Sequence, residues 1–227
     1  MLKPISGIFL SLLAIAGCAA DNTPAAAPAA AAPSAPQAPA ETARLRAALL
    51  PVPKGMHVAY GPELGAFGSL KSTQQGLAAV RQAKLQRPEC AGAAQLDAAK
   101  PDVAQAPAAV IAFAADRGSI TQAVVALPKA AFPAPLPKEC ASYTADVSGT
   151  QVTYKTRTLA MPAKGDESRA YLTTAAGDNK KNAEIGSVII RRGTLIMSML
   201  VVGQRVKPQG LYELARLADE NLARVAR

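Results

Sequence analysis

Residues 185–202 read Ile185-Gly186-Ser187-Val188-Ile189-Ile190, then Arg191-Arg192-Gly193-Thr194, then Leu195-Ile196-Met197-Ser198-Met199-Leu200-Val201-Val202. The two outer segments are the most strongly apolar of the folded part of the chain. Gly193 supplies a residue free to take the positive φ of a tight turn between them. Neither arm alternates polar with apolar residues as a strand with one wet face would. A hairpin near the centre of a sheet, covered at least in part on both faces, is therefore expected.

Working outward from this hairpin, Ala108 to Ala115 and Ile120 to Leu127 are continuous apolar runs around Asp116-Arg117-Gly118-Ser119, which predicts a second hairpin. Thr150 to Thr158 alternates, with Val152, Tyr154 and Thr156 on one side and Thr153, Lys155 and Arg157 on the other. Arg169 to Ala176 reads as another strand, and Met56 to Tyr60 as a strand or an extended link. Short turns require antiparallel pairing, because parallel neighbours need long crossovers.

After Pro208-Gln209-Gly210, the residues Leu211, Leu214, Ala215, Ala218, Leu222 and Val225 form the apolar stripe of a final helix. Glu220 and Arg224 are spaced there for an i,i+4 ion pair. Helical composition also covers Glu41 to Leu50, ended by Pro51 and Pro53, and Thr73 to Gln86, broken by Pro88. Short helices are expected around Cys90 to Ala99 and from Lys138 to Tyr143. The expected fold class is α+β: a single antiparallel sheet of five to seven strands, packed with a few N-terminal helices and one C-terminal helix. One face of that sheet is to be covered by the terminal helix and the early helices.

The N-terminus carries a different signal. Lys3 precedes an apolar run from Ile5 to Ile15, and the small residues Ala16 and Gly17 follow. This is the layout of a secretory signal, and the run is too short for a permanent membrane-crossing helix of roughly 20 residues. Ile15-Ala16-Gly17-Cys18 resembles the bacterial lipobox. That resemblance implies a diacylglyceryl thioether on Cys18, cleavage before it, and acylation of the new amino terminus, as with palmitate. The alternative is a plain signal peptide in which Cys18 has no role. Asp21 to Ala40 is almost entirely Ala and Pro, a composition that cannot form one continuous helix and reads as an extended tether. At about 3 Å per residue it reaches roughly 60 Å. The expected organisation is thus a signal peptide at 1–17, a lipidated cysteine and tether at 18–40, and one domain at 41–227. The expected location is extracytoplasmic, at the cell membrane through the lipid.

Cys90 and Cys140 remain as an even pair in an oxidising compartment, which predicts a disulfide. Two reduced, buried thiols are the alternative. The spacing of these cysteines with the lone His57 does not match a zinc site, and no metal or cofactor is expected. The formal net charge is +9, with 25 Lys and Arg against 16 Asp and Glu. A basic balance outside the cell suits anionic envelope polymers or lipid headgroups, and serves equally for solubility alone. Basic clusters interleaved with aromatics are missing and there is no Trp, so nucleic acid is not an expected partner.

No catalytic constellation is evident. Every histidine-based scheme rests on His57, and Gly-x-Ser-x-Gly, Walker and Rossmann patterns do not occur. Tyr154, Lys155, Arg157, Arg169 and Arg191 lie on or beside predicted strands and are the candidate binding residues. On one sheet face the cations would form a shallow anion site; they also suit an ordinary wet strand face. Tyr143 and Tyr154 line a groove or simply pack. Met197 and Met199 line an apolar cavity or fill the core.

From about Leu49 to Arg227 the chain resembles a family of actinobacterial secreted lipoproteins, which is similar to the extracellular sensor domain of PknH-type serine/threonine kinases. The resemblance is carried by Leu49-Leu50-Pro51, Pro88-Glu89-Cys90, Ser119-Ile120, Lys138-Glu139-Cys140, Tyr143-Thr144, Gly149-Thr150-Gln151-Val152, and the closing hairpin with its helix. It implies an antiparallel sheet packed with helices around a cleft for a small ligand. The kinase sensor domains use two disulfides, whereas Cys90 and Cys140 make only one. The expected function is non-catalytic binding of a small ligand or envelope component. The alternative is a protein-interaction module with no ligand pocket.

Overall fold

The computed structural model describes residues 37–92, 94–177 and 182–226. Cys18, the signal segment and most of the tether lie outside the described residues. The elements run α1 (Gln37–Ala47), β1 (His57–Ala66), α2 (Lys71–Gln82), β2 (Lys84–Leu85), α3 (Pro101–Ala104), β3 (Pro107–Ala115), β4 (Gly118–Ala126), β5 (Ser142–Val147), β6 (Thr150–Leu159), β7 (Glu167–Gly177), β8 (Asn182–Arg192), β9 (Leu195–Gly203) and α4 (Pro208–Val225). Three 3-10 turns, Phe67–Ser69, Pro88–Cys90 and Lys138–Ala141, punctuate them. The nine strands form one antiparallel sheet in the order β1-β3-β4-β9-β8-β7-β6-β5-β2.

The α+β class stands, but the sheet has nine strands rather than five to seven. The additional strands are at its margins. Ser142 to Val147 was expected to begin as helix, yet Tyr143, Ala145 and Val147 alternate and pair with β6. The two-residue β2 is too short to carry a pattern of its own. Among the described residues of Cys90 to Ala99 there is no α-helix; the 3-10 turn Pro88–Cys90 opens that stretch and turns and bends follow, and α2 stops at Gln82. At the other end, α1 starts at Gln37, ahead of Glu41. Pro39 is tolerated because it stands in the first turn, where no intrahelical N–H bond is needed.

The central hairpin is β8–β9. Its turn is Gly193-Thr194, with Gly193 at φ +56°. Both faces are covered, as its composition predicts. Val188, Ile190, Leu195, Met197 and Met199 face α1 and α4, so the two methionines fill core. Ile189 and Ile196 face a second cluster with Phe67, Leu70, Leu96 and Val103. The early helices are therefore divided: the expectation of a shared face holds for α1 and fails for α3. α1 packs beside α4, while the 3-10 turn Phe67–Ser69 and α3 cover the opposite side.

Residues Leu211, Ala215, Ala218 and Leu222 of α4 are buried against the sheet. Gly186 makes this approach possible: a Cβ there would stand 2.9 Å from Val206 Cγ1 and 3.0 Å from Leu211 Cδ2. Arg192 Nε donates to Asp219 Oδ1 at 2.7 Å and its Nη2 to Oδ2 at 3.0 Å, tying the hairpin end to α4. The expected Glu220–Arg224 pair is not formed. Glu220 instead accepts from Arg216, one turn earlier, and Arg224 donates to Asn221.

Candidate functional site

The half of the sheet formed by β5 to β8 leaves one face free of α4 and, apart from Ile189 of β8, of the second core cluster. Period-two alternation puts Tyr143, Ala145 and Val147 of β5, Tyr154 and Thr156 of β6, Thr173 of β7, and Ile185 and Ser187 of β8 on that face, with Leu200 of β9 beside them. These residues floor a cavity of about 330 Å³. Its roof comes from elsewhere in the chain: Ala79, Val80 and Ala83 from α2 and its end, Cys90, Ala91, Gly92, Ala94 and Gln95 from the loop after it, and Leu136.

α2 is held chiefly at its ends. The Glu63 carboxylate on β1 accepts the Ser72 backbone N–H at 3.0 Å and the Ser72 hydroxyl at 2.6 Å. A carboxylate suits this position because the first-turn N–H groups of a helix have no intrahelical acceptor and carry positive partial charge. Past the C-terminus, Lys84 and Leu85 pair with β5. Between these anchors no residue of α2 is buried. Glu63→Ala should therefore raise amide exchange in 71–82 about tenfold, as expected for loss of a hydrogen bond to a charged group. Exchange in α4 should stay unchanged in the same mass-spectrometric measurement.

The disulfide Cys90–Cys140 joins the roof to the floor, with Cα atoms 5.3 Å apart. Cys90 borders the cavity, and Cys140 sits just before β5. The segment 127–137 closes a further side. Tyr171 Oη accepts the Leu136 N–H at 3.3 Å, and Arg169 lies over the Phe132 ring at 4.7 Å while donating to Pro133 O.

The polar groups of the floor are all hydroxyls. Thr156 Oγ1 and Thr173 Oγ1 are 2.8 Å apart, a cross-strand pair. Ser187, on the next strand, is 3 % exposed and its hydroxyl has no hydrogen-bond partner. Tyr143 and Tyr154 stack, with ring centroids 5.1 Å apart and planes at 16°. Burial pushes both phenols above the ordinary tyrosine range, and Tyr154 adds to the shift at Tyr143. A raised phenol pKa means that the folded state binds the proton more tightly than the unfolded state. Stability from these groups is thus full below the ordinary value of about 10 and is lost as pH rises through the folded values. In an ultraviolet titration, Tyr143→Phe and Tyr154→Phe should each remove a late-titrating component, leaving the earlier ones in place.

The sequence-based binding residues do not form one site. Only Tyr154 reaches the groove. Lys155 and Arg157 are exposed on the opposite face of β6, the face that carries α4 further along the sheet. Arg169 is a positioning residue for the segment 127–137. Arg191 is engaged at the hairpin end with Asp166 Oδ2 at 3.1 Å and Glu167 Oε1 at 2.8 Å. Residues that sequence reasoning passed over are Thr156, Thr173 and Ser187. The available signal was Ser187, a hydroxyl set within an apolar strand.

A more open depression of about 540 Å³ lies on the other face between α1, α4 and Pro62. Most of its polar side chains are engaged: Asn221 Nδ2 donates to Leu49 O at 2.8 Å, Glu220 accepts from Arg216 and Arg224 donates to Asn221, while Arg46 is exposed at its edge. His57 is exposed at the start of β1. Among the described residues no cluster of three or more His, Cys, Asp or Glu side chains is placed to hold a metal, and no helix is long and apolar enough to cross a membrane.

Fold and groove together define an α+β module with a helix-roofed pocket on one sheet face. Among solved structures, the chain is similar to the extracellular domain of PknH from Mycobacterium tuberculosis, with 14% identity and a TM-score of 0.52 over 80% of this chain and 96% of that one. It is also similar to an uncharacterised protein from Mycobacterium smegmatis, an Rv0999 ortholog, with 13% identity and a TM-score of 0.50 over 83% of this chain and 96% of that one. The resemblance to the PknH-type sensor domain thus holds at the level of fold. No protein-family model matches the chain, and no curated protein matches its sequence.

Proposed function

We propose that this chain is an extracytoplasmic, non-catalytic binding module, fastened to the membrane by lipid on Cys18, that holds a small molecule or envelope component in the groove beneath α2. The observation that carries this reading is the groove itself: a partly enclosed cavity of about 330 Å³ with an unpartnered hydroxyl in its floor. That volume falls at the lower end of small-molecule sites, and a few convergent polar groups in an apolar lining is their usual chemistry. The fold likeness to an extracellular domain and the disulfide both support a place outside the cytosol. The non-catalytic reading follows from what the groove offers. Its lining hydroxyls have no histidine or carboxylate among the described lining residues to activate them.

The test is a nitrogen-15 correlation spectrum of the protein titrated with an organic extract of the envelope of the cells that make it. Shifts confined to α2, the loop after it, β5 to β8 and the neighbourhood of Leu200 are expected. An unchanged spectrum, or shifts confined to the α1–α4 face, would overturn the assignment.

A further inference from the structure

We infer that the groove accepts an uncharged, mainly apolar molecule bearing one hydrogen-bonding group, such as a carbonyl, ester or hydroxyl, which is buried against Ser187. This rests on reading the groove as a ligand site. Three observations fix the chemistry. First, no Lys, Arg, Asp, Glu or His is among the described lining residues. An ionic group seated there would lose its water without gaining a counter-charge, and such a transfer is prohibitive unless the group neutralises.

Second, the buried polar side chains are on the strands of the floor, the roof's one polar side chain among the described lining residues, Gln95, being exposed. Ser187 offers a donor and two acceptor lone pairs with no protein partner. On the adjoining strand, the Thr156–Thr173 pair uses one hydroxyl hydrogen internally and leaves the other available. Hydroxyls satisfy a carbonyl or another hydroxyl equally well and cannot balance a charge. Third, Leu85, Leu136, Ile185 and Leu200 line the rest, together with the small roof residues of α2. This leaves room for a hydrocarbon or ring portion between roof and floor. The upward shift of the two tyrosines marks the same environment as hostile to charge.

The experiment compares two fluorescent naphthalenes with the full chain. Prodan is uncharged and carries one carbonyl; 1-anilinonaphthalene-8-sulfonate is anionic. Prodan should bind at least tenfold more tightly. Leu200→Trp, which fills the groove, should weaken prodan binding at least tenfold. Val147→Trp, at an exposed rim position, should do the same without burdening the fold. Ser187→Ala should keep bound prodan but move its emission to shorter wavelength, as its carbonyl loses a donor. Equal or tighter binding of the anionic dye, or unchanged emission in Ser187→Ala, would overturn the ligand class while leaving the groove a site. Binding of neither dye, or prodan binding indifferent to both tryptophans, would overturn the site as well.

Discussion

Replacing Cys90 and Cys140 together by serine should lower the unfolding free energy by about 4 kcal/mol, the chain-entropy value for the loop this bridge closes. Against a typical total of about 5–15 kcal/mol, that is a large fraction. Guanidinium denaturation of the wild type and the double variant, with and without reductant, measures it. Reductant should destabilise the wild type and leave the variant unmoved. The physical ground is specific to this fold. The roof loop after α2 is otherwise held to β5 by the two-residue β2 and by Gln86, whose N–H donates to Thr144 O at 2.9 Å and whose Oε1 accepts from Thr144 Oγ1 at 3.0 Å, while the exposed Arg87–Glu89 pair at 3.7 Å lies within the loop itself. Exposed pairs of that kind contribute about 0–1 kcal/mol. The bridge, with both cysteines buried, adds a covalent attachment between roof and floor to these few hydrogen bonds. Loss of the bridge should also raise amide exchange in residues 84–95 more than in β8 and β9. A fall below about 1 kcal/mol would mean that the roof is fastened by other contacts.

The second large effect is all-or-none. Cys18→Ser should move the protein from the membrane fraction to the soluble extracytoplasmic fraction or leave it unprocessed, because a serine hydroxyl is a much weaker nucleophile than a cysteine thiol at neutral pH and cannot take the thioether. One acyl chain gives only marginal anchoring, and stable retention needs a second signal or chain. Diacylglyceryl plus an amide-linked fatty acid meets that need. Fractionation followed by intact-mass measurement checks it. Cys18→Ser retained in the membrane fraction at its cleaved mass, without the apolar run of residues 5–15, would contradict lipid anchoring. Unchanged domain stability is expected in either case, since Cys18 lies ahead of α1.

The parts of the fold that were legible in sequence are those whose physics is local. The runs in β3, β4, β8 and β9 are continuous and apolar because both faces are covered, and the α4 stripe repeats every three to four residues because one face is. β5 was lost because a short strand just after Cys140 looks the same as a helical turn until its partner β6 is known. The groove was not legible. Its floor comes from five strands, β5 to β9, and its roof from α2 and the loop after it, so no single stretch of sequence carries its composition. One part was nevertheless accessible. Tyr154 alternates with Lys155 and Arg157 in β6, and a period of two puts a tyrosine and its flanking cations on opposite faces. A single site containing all three was therefore excluded by the same alternation that identified the strand. The hydroxyl at Ser187, inside the most apolar hairpin, was the remaining clue. A buried hydroxyl without a partner is costly enough to call for a reason.

The decisive measurement is native mass spectrometry of the protein released gently from its own membrane, beside the Val147→Trp variant prepared in the same way. The wild type should carry a non-covalent small molecule that the variant lacks. A wild type that emerges empty, or a variant that holds the same molecule, would show that the space under α2 is not where this protein binds.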